Sequence, residues 1–336
     1  MTHPIFAGVD VGGTNTKVGL LTASGQIIGN TQFPTEQSRG ANHALSTASQ
    51  SIDSLLQQHS FKSANLAAIG LAVPGPMDIP AGKVLDPFNL PAWGQSVVRD
   101  MLAEISGHQV YFTNDANAAA LGEFWIGGGE AFTSMILVTL GTGVGGGIIL
   151  DGRDIIGANS HGAEIGHLII DSSDDARVCS CGNSGHLEAY ASASAVVERC
   201  REAIAAGTES CLAAVPANEL STLKIYEAAD AGDALAIKLI DETAGFLGKG
   251  IVSLAHVVDP QAVLIGGAMN FGATETAIGR KFLNDIRAVA KNCSLPALSQ
   301  KLKIEFATLC GDAGFVGAAF LARREHGASI QAVAKN

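Results

Sequence analysis

The sequence predicts an α/β protein built of two similar lobes, and three observations carry that prediction. The first is an apolar run, Met135 to Leu140, that enters the glycine-rich stretch Gly141-Thr142-Gly143-Val144-Gly145-Gly146-Gly147 and continues apolar through Leu150. It reads as strand, tight turn, strand. The second is a matching hairpin near the start, Gly8-Val9-Asp10-Val11-Gly12-Gly13-Thr14-Asn15-Thr16-Lys17-Val18-Gly19-Leu20, with an acid on one strand and a lysine on the other. The third is composition: 47% hydrophobic residues with only 5% aromatics fit a compact aliphatic α/β core. Glycine lets backbone amides approach an anion closely, so each hairpin is suited to cradle a phosphate. One such hairpin is compatible with no ligand at all. Two of them point to two lobes serving one phosphorylated ligand.

Gly141, Gly143 and Gly146 also satisfy the dinucleotide spacing G-x-G-x-x-G. That fold requires a helix directly after the glycines. Here Gly147-Ile148-Ile149-Leu150 continues as strand and Asp151-Gly152-Arg153 reads as a turn, so the context fails.

At 336 residues the chain has room for two domains of ordinary size. A net charge of −11 argues against nucleic acid or an acidic membrane surface as partner. An anionic ligand is then held by loop amides and a few cations. No apolar run reaches membrane-spanning length, and Met1-Thr2-His3-Pro4 leads into a strand without a signal peptide, so a cytoplasmic protein is expected. Six cysteines are too sparse for a disulfide framework, and a reducing compartment turns any close pair towards metal.

Along the chain, Ser24-Gly25-Gln26 reads as a turn before a strand at Ile27. Ala41 to Gln58 is a helix by its apolar spacing, and Leu66 to Val73 is a buried strand that Pro74-Gly75-Pro76 ends. The loop Asp86 to Trp93 carries polar and aromatic groups, and Trp93 either caps the core or walls a pocket. A helix over Ser96 to Ile105 and a strand at Val110-Tyr111-Phe112 follow. They deliver Thr113-Asn114-Asp115 to a helix from Ala116 to Phe124. An acid at a helix start caps it; at the carboxyl end of a strand it also stands where open α/β sheets bind ligands. Gly157 to Leu168 is a polar loop with Glu164 and His167 three apart. Cys179, Cys181 and His186, with His167 upstream, suit tetrahedral zinc, the alternative being two reduced cysteines and an incidental histidine. Helices are expected over 189–206, 223–231, 234–258, 276–291 and 311–323, and strands over 262–265 and 303–306. Gly266-Gly267 makes a third glycine turn at a strand end, and the tail from Glu325 is expected to fray.

Taken together, these residues resemble the ROK family of sugar kinases and sugar-responsive repressors over nearly the whole chain. Asp10 to Lys17 is similar to the family's first phosphate motif and Gly141 to Gly147 to its second. Asn114-Asp115-Ala116-Asn117-Ala118-Ala119-Ala120 resembles the segment that supplies the catalytic aspartate. Gly162-Ala163-Glu164-Ile165-Gly166-His167 followed by Cys179-x-Cys181-Gly182-x-x-Gly185 resembles the sugar- and zinc-binding signature, with His186 standing where the family usually has a third cysteine.

The resemblance implies the actin-like, ribonuclease-H-like ATPase fold, with two α/β lobes and ATP and sugar in the cleft. It divides the chain into an N-terminal lobe, 1–114, and a larger lobe, 115–311, with a C-terminal helix, 312–330, returning to the first. It implies phosphorylation of a hexose at its 6-hydroxyl, glucose first, with Asp115 as general base. Asp10 holds Mg2+ through water, and Gly12, Gly13, Thr14, Gly141, Thr142 and Gly143 present amides to the phosphates. Lys17 is either a phosphate cation or a solvated strand lysine, and Gly266 and Gly267 pass beside the adenosine. Gly75, Asn89, Asn114, Glu164, His167 and Glu188 bind the sugar. His167, Cys179, Cys181 and His186 hold a structural Zn2+. N-acetylmannosamine, fructose and allose kinases share most of this set. Repressors of the family carry an N-terminal helix-turn-helix domain, for which the strand beginning at Ile5 leaves no room. A homodimer is the expected assembly.

Overall fold

The computed structural model describes residues 4–87 and 89–333. Phe88, in the loop before Trp93, and the Met1-Thr2-His3 lead-in lie outside the described residues. In chain order the first elements are β1 (Ile5–Val11), β2 (Asn15–Thr22), β3 (Ile27–Pro34), α1 (Ala41–Gln58), β4 (Leu66–Val73), the short pair β5 (Met77–Asp78) and β6 (Lys83–Val84), α2 (Val98–Ser106), β7 (Val110–Asn114) and α3 (Asp115–Ile126). Five of these strands form a sheet of order β3-β2-β1-β4-β7. β1, β2 and β3 are antiparallel neighbours, while β4 runs parallel to both β1 and β7. The first glycine turn is the tip of the β1–β2 hairpin, and the register sets Asp10 opposite Lys17. α1 buries Ala41, Ala44, Leu45, Ala48, Ile52, Leu55 and Leu56 along one face, as its 3.6-residue spacing requires. Trp93 is fully buried in the same core, so of the two roles open to it from sequence it takes the core one.

Next come β8 (Met135–Leu140), β9 (Val144–Leu150), β10 (Arg153–Asp154), α4 (Glu188–Ala191), α5 (Ala193–Ala205), α6 (Thr222–Asp230), α7 (Ala234–Val258), β11 (Ala262–Gly266), α8 (Ala277–Cys293), α9 (Pro296–Ser299) and β12 (Lys303–Phe306). The second sheet has the order β10-β9-β8-β11-β12, with β11 parallel to β8 and β12. The helix expected over 189–206 is broken at Ser192, whose side chain caps α5 by accepting from the Ala195 amide at 3.1 Å. α7 buries thirteen of its residues and packs against α5, α6 and α8.

α10 (Ala313–Val333) ends the chain and stays helical past Glu325, where fraying was expected. It packs on β1, β4 and α3. Backbone meets backbone there. A Cβ added at Gly8 lies 1.8 Å from the Phe315 carbonyl oxygen, one at Gly70 lies 1.8 Å from that of Ala318, and one at Gly317 lies 1.6 Å from that of Ala118.

Contacts divide the chain into two compact units, Met1–Ala131 with Gly147–Ala163 and Gly311–Asn336, and Phe132–Gly146 with Glu164–Cys310. The expected division after residue 114 is therefore displaced. Asp115 and the rest of α3 belong to the first unit because α3 packs along α10 through small residues such as Gly122, where a Cβ lies 2.3 Å from the Ala313 oxygen. Among the described residues no helix is long and apolar enough to cross a membrane.

The α10 contact makes a stability prediction. Gly8→Ala puts a methyl group against a carbonyl that has no room to retreat, and overpacking of this kind costs about 2–3 kcal/mol or more. Urea unfolding is expected to show that loss, whereas Gly232→Ala, with nothing within 4 Å of the added carbon, is expected to lose only its left-handed turn preference.

Candidate active site

In the first unit, β7 delivers its last residue, Asn114, as the N-cap of α3. The Asn114 Oδ1 accepts from the amides of Ala116 at 2.9 Å and Asn117 at 3.4 Å. Capping thus falls to the asparagine, and Asp115 is the first helical residue, half-buried, with Oδ1 accepting from the Ala116 amide at 2.8 Å. The aspartate is held in orientation by the helix rather than spent on starting it.

Asp10 stands at the end of β1 beneath the first turn of α10, where a Cβ at Gly314 lies 2.1 Å from Asp10 Oδ2. Burial foremost, and the Asp115 charge second, raise the Asp10 carboxyl from its ordinary value to about 7, with Lys17 opposing. Lys17 is not a solvated strand lysine. Its Nζ donates to the Gly311 carbonyl at 2.6 Å and to Asp312 Oδ1 at 3.2 Å, a half-exposed pair that ties β2 to the start of α10. Gly12, Gly13 and Thr14 form the tip of the hairpin, closed by the Gly12 amide donating to the Asn15 carbonyl at 2.9 Å. Asn89 is exposed beside this tip, its carbonyl 3.4 Å from a Cβ placed at Gly13. Gly75 takes φ +99°, and a Cβ there lies 2.5 Å from the Pro87 side chain, so only glycine fits.

In the second unit, Gly141, Thr142 and Gly143 form the turn between β8 and β9, with the Gly141 amide donating to the Gly143 carbonyl at 3.0 Å. Gly266 and Gly267 end β11 beside it: Gly267 takes φ +91° and would meet the Leu140 carbonyl oxygen at 2.2 Å through any Cβ. Glu164 and His167 are both exposed at the ends of a single 3-10 turn. Its middle residues anchor it to β9, since Ile165 is buried and a Cβ at Gly166 lies 2.2 Å from the Val144 oxygen. Glu188 links two loops. Its Oε2 accepts from the Val144 amide at 3.0 Å and its Oε1 from the Ser180 hydroxyl at 2.8 Å.

His167, Cys179, Cys181 and His186 converge, their donor atoms all within 4.8 Å of one another. Cys181 Sγ and His167 Nδ1 each lie 3.2 Å from His186 Nδ1, and Cys179 Sγ lies 3.9 Å from His167 Nδ1. Zinc–sulfur bonds near 2.3 Å and zinc–nitrogen bonds near 2.0–2.1 Å place tetrahedral ligand atoms about 3.3–3.8 Å apart, so this donor set fits the ion. Burial pushes the Cys179 thiol up, whereas the Asn183 amide draws that of Cys181 down. His186 and Cys179 are buried and the other two exposed. The substituted histidine therefore occupies the interior of the cluster.

Comparison with known proteins bears on what these two sets of residues are. The sequence pattern of the ROK family matches residues 6–325. The chain belongs to the ROK family. It is 34% identical over 327 residues to a glucokinase from Halalkalibacterium halodurans, covering 97% of each chain. Its fold superimposes on a ROK hexokinase from Thermus thermophilus with TM-score 0.81 and 28% identity, over 96% of this chain and 99% of that one. It also matches a ROK family glucokinase from Streptomyces griseus in complex with glucose and AMPPNP, with TM-score 0.76, 30% identity, and coverage of 95% and 99%. The fold is thus that of the ROK sugar kinases, an actin-like ATPase fold. Motif reading of this ROK chain missed Asp312, Thr35 and Ser194, which hold site residues from outside the motifs, and Ser180, which lies inside the Cys179-x-Cys181 motif and holds Glu188.

Asp10 yields a pH prediction. Its folded value of about 7 lies above the ordinary carboxylate value of 3.8, so the folded state binds the extra proton between them. Stability attached to this group is then complete below about pH 4 and lost as pH rises through 7. In chelator, Asp10→Asn is expected to melt above the wild type, with a gap that widens from pH 4 to pH 7 and then levels. Calorimetric melting across that range checks it; a gap that narrows with pH contradicts the burial assignment.

Proposed function

We propose that this ROK protein transfers the γ-phosphate of ATP to the 6-hydroxyl of a hexose, with glucose as substrate. The observation that carries the reading is the strand-to-helix junction at Asn114–Asp115. A half-buried carboxylate at the strand-to-helix junction, held by the Ala116 amide while the adjacent asparagine makes the N-cap contacts, supports reading Asp115 as the proton acceptor. Asp115 takes the proton of the 6-hydroxyl as that oxygen attacks phosphorus, and ADP leaves. Asn114, whose Oδ1 is committed to the helix amides, offers its Nδ2 to a sugar hydroxyl. Gly75, Asn89, Glu164, His167 and Glu188 are assigned to the remaining hydroxyls. Glu188 keeps a second task, holding the Val144 amide at the base of the glycine turn.

Phosphoryl transfer asks mainly for positioning and charge neutralisation. Gly12, Gly13 and Thr14, and Gly141, Thr142 and Gly143, are assigned to the phosphates through their amides. Gly266 and Gly267 are assigned to the adenosine side. Asp10, with the charge of Asp115 near it, fits a hydrated Mg2+, which neutralises phosphate charge when bound. Lys17 acts indirectly, since Asp312 and Gly311 hold its ammonium and it in turn holds the start of α10 over Asp10. A zinc ion in the His167, Cys179, Cys181 and His186 set braces the segment between Glu164 and Glu188 and takes no part in the chemistry.

Asp115→Asn is expected to lower turnover by about 10²–10⁴-fold, with hexose affinity changing far less. Steady-state kinetics with a panel of glucose, N-acetylmannosamine, fructose and allose tests both the base and the substrate. Near-normal turnover in the variant removes Asp115 from the mechanism, and preference for another sugar moves the substrate assignment within the family.

Elemental analysis of protein purified without chelator is expected to find about one zinc per chain, lost in Cys181→Ser. Less than about a tenth of an equivalent in the wild type leaves the loop held by its hydrogen bonds alone. Loss of the ion is expected to weaken hexose binding, because His167 supplies both the cluster and the sugar-facing turn.

A further inference from the structure

Each of the two glycine hairpin turns, Gly12 to Thr14 and Gly141 to Gly143, has a hydroxyl behind it, supplied from outside its hairpin. In the first turn, the Thr35 hydroxyl donates to the Gly12 carbonyl at 2.7 Å and the Thr35 amide donates to the Thr14 carbonyl at 2.8 Å. In the second, the Ser194 hydroxyl donates to the Thr142 carbonyl at 2.7 Å and the Ala193 amide donates to the Gly141 carbonyl at 2.9 Å. One hydroxyl and one amide, from one residue or two neighbours, engage two carbonyls of each turn.

We propose that Thr35 and Ser194 are positioning residues for the nucleotide phosphates, each aiming the amides of one glycine turn by holding its carbonyls. The inference rests on the kinase reading, because it needs phosphate at these turns. Its physical basis is the planar trans peptide, in which the C=O and the following N–H point in opposite directions. No peptide bond among the described residues is cis. Fixing the Gly12 carbonyl therefore aims the Gly13 amide the other way, and fixing Gly141 and Thr142 aims the amides of Thr142 and Gly143. A glycine peptide flips easily because no side chain resists it. A flipped peptide presents a carbonyl lone pair to the phosphate in place of a donor, so the clamp decides between attraction and repulsion.

The first clamp has a single polarity. Thr16 and Thr35 are both completely buried, and their hydroxyl oxygens lie 2.9 Å apart. The Thr35 proton is committed to a carbonyl, which has none to return, so Thr16 donates to Thr35. Thr16→Thr35→Gly12 is thus a buried relay with every proton assigned. Ser194 is exposed, and its clamp has no such support.

The test uses Thr35→Val, Thr35→Ser and Ser194→Ala in the full chain. Affinity for a non-hydrolysable ATP analogue is read by calorimetry, and KM is measured for ATP and for hexose. A net hydrogen bond of about 0.5–1.5 kcal/mol converts to about 2–12-fold, so Thr35→Val and Ser194→Ala are each expected to weaken nucleotide binding several-fold. Hexose KM is expected to stay within about twofold, and Thr35→Ser to restore nucleotide affinity. A merely structural role lowers the melting temperature without splitting the two KM values and gains nothing specific from serine. Nucleotide affinity unchanged in both variants overturns the inference, as does an equal rise in both KM values. Should Thr35→Val fail to fold, the exposed Ser194→Ala decides alone. Wild-type protein that binds no nucleotide overturns the kinase reading itself, and the inference with it.

Discussion

The first unit depends on how closely α10 can lie on β1 and β4. Glycines at 8, 70 and 317 let the helix backbone approach the sheet and α3 to distances that any Cβ forbids. Several consequences follow from that one contact. The first turn of α10 closes over Asp10 at Gly314 and partly shields it from water, and this burial is the main reason its carboxyl is raised to about 7. Gly311 and Asp312, just ahead of the helix, come within reach of Lys17. α3, which begins with Asp115, is held by the same helix. The acid at the end of β1 and the acid at the start of α3 thus owe their surroundings to a segment that ends the chain.

Charge poses a problem that the amides address. A chain of net charge −11 is poorly disposed towards a nucleotide, and the one lysine of the first glycine hairpin is already paired with Asp312. Attraction for a phosphate must then come from dipoles aimed at short range, which carry no net charge and add nothing to the protein's self-repulsion. Such dipoles work only while their orientation is fixed. Thr35 behind the first turn, and Ser194 with Ala193 behind the second, supply that restraint. Glu188 extends the same logic by joining the Val144 amide to Ser180 in the loop that carries the cysteines.

Most of the fold was legible because its elements obey local rules. α1, β4, α7 and β12 fall at the residues that apolar spacing and flanking prolines mark. The glycine hairpins and the meeting of His167, Cys179, Cys181 and His186 were readable from spacing within short segments. Where the reading failed, the deciding contact was distant. At the break at Ser192, where its side chain caps α5, the Ala193 amide turns to the distant Gly141 carbonyl, and the division after residue 114 moved because α3 finds its partner in α10.

By itself, then, the sequence determined the element types, the two glycine turns, the placement of Asn114 and Asp115 at a strand-to-helix junction, and the family. Those are properties of residue order over a few turns of chain, where covalent geometry and periodic burial leave few choices. Tertiary structure alone decided which neighbour each side chain meets. It gave the helix cap to Asn114 and left Asp115 in the helix, buried Trp93 in the core, and paired Lys17 with Asp312 across 295 residues of sequence. It also brought Thr35 and Ser194 behind turns whose motifs do not contain them. A hydrogen bond is specified by a few ångströms of space, and no local pattern in residue order encodes that separation when its partners lie on different elements.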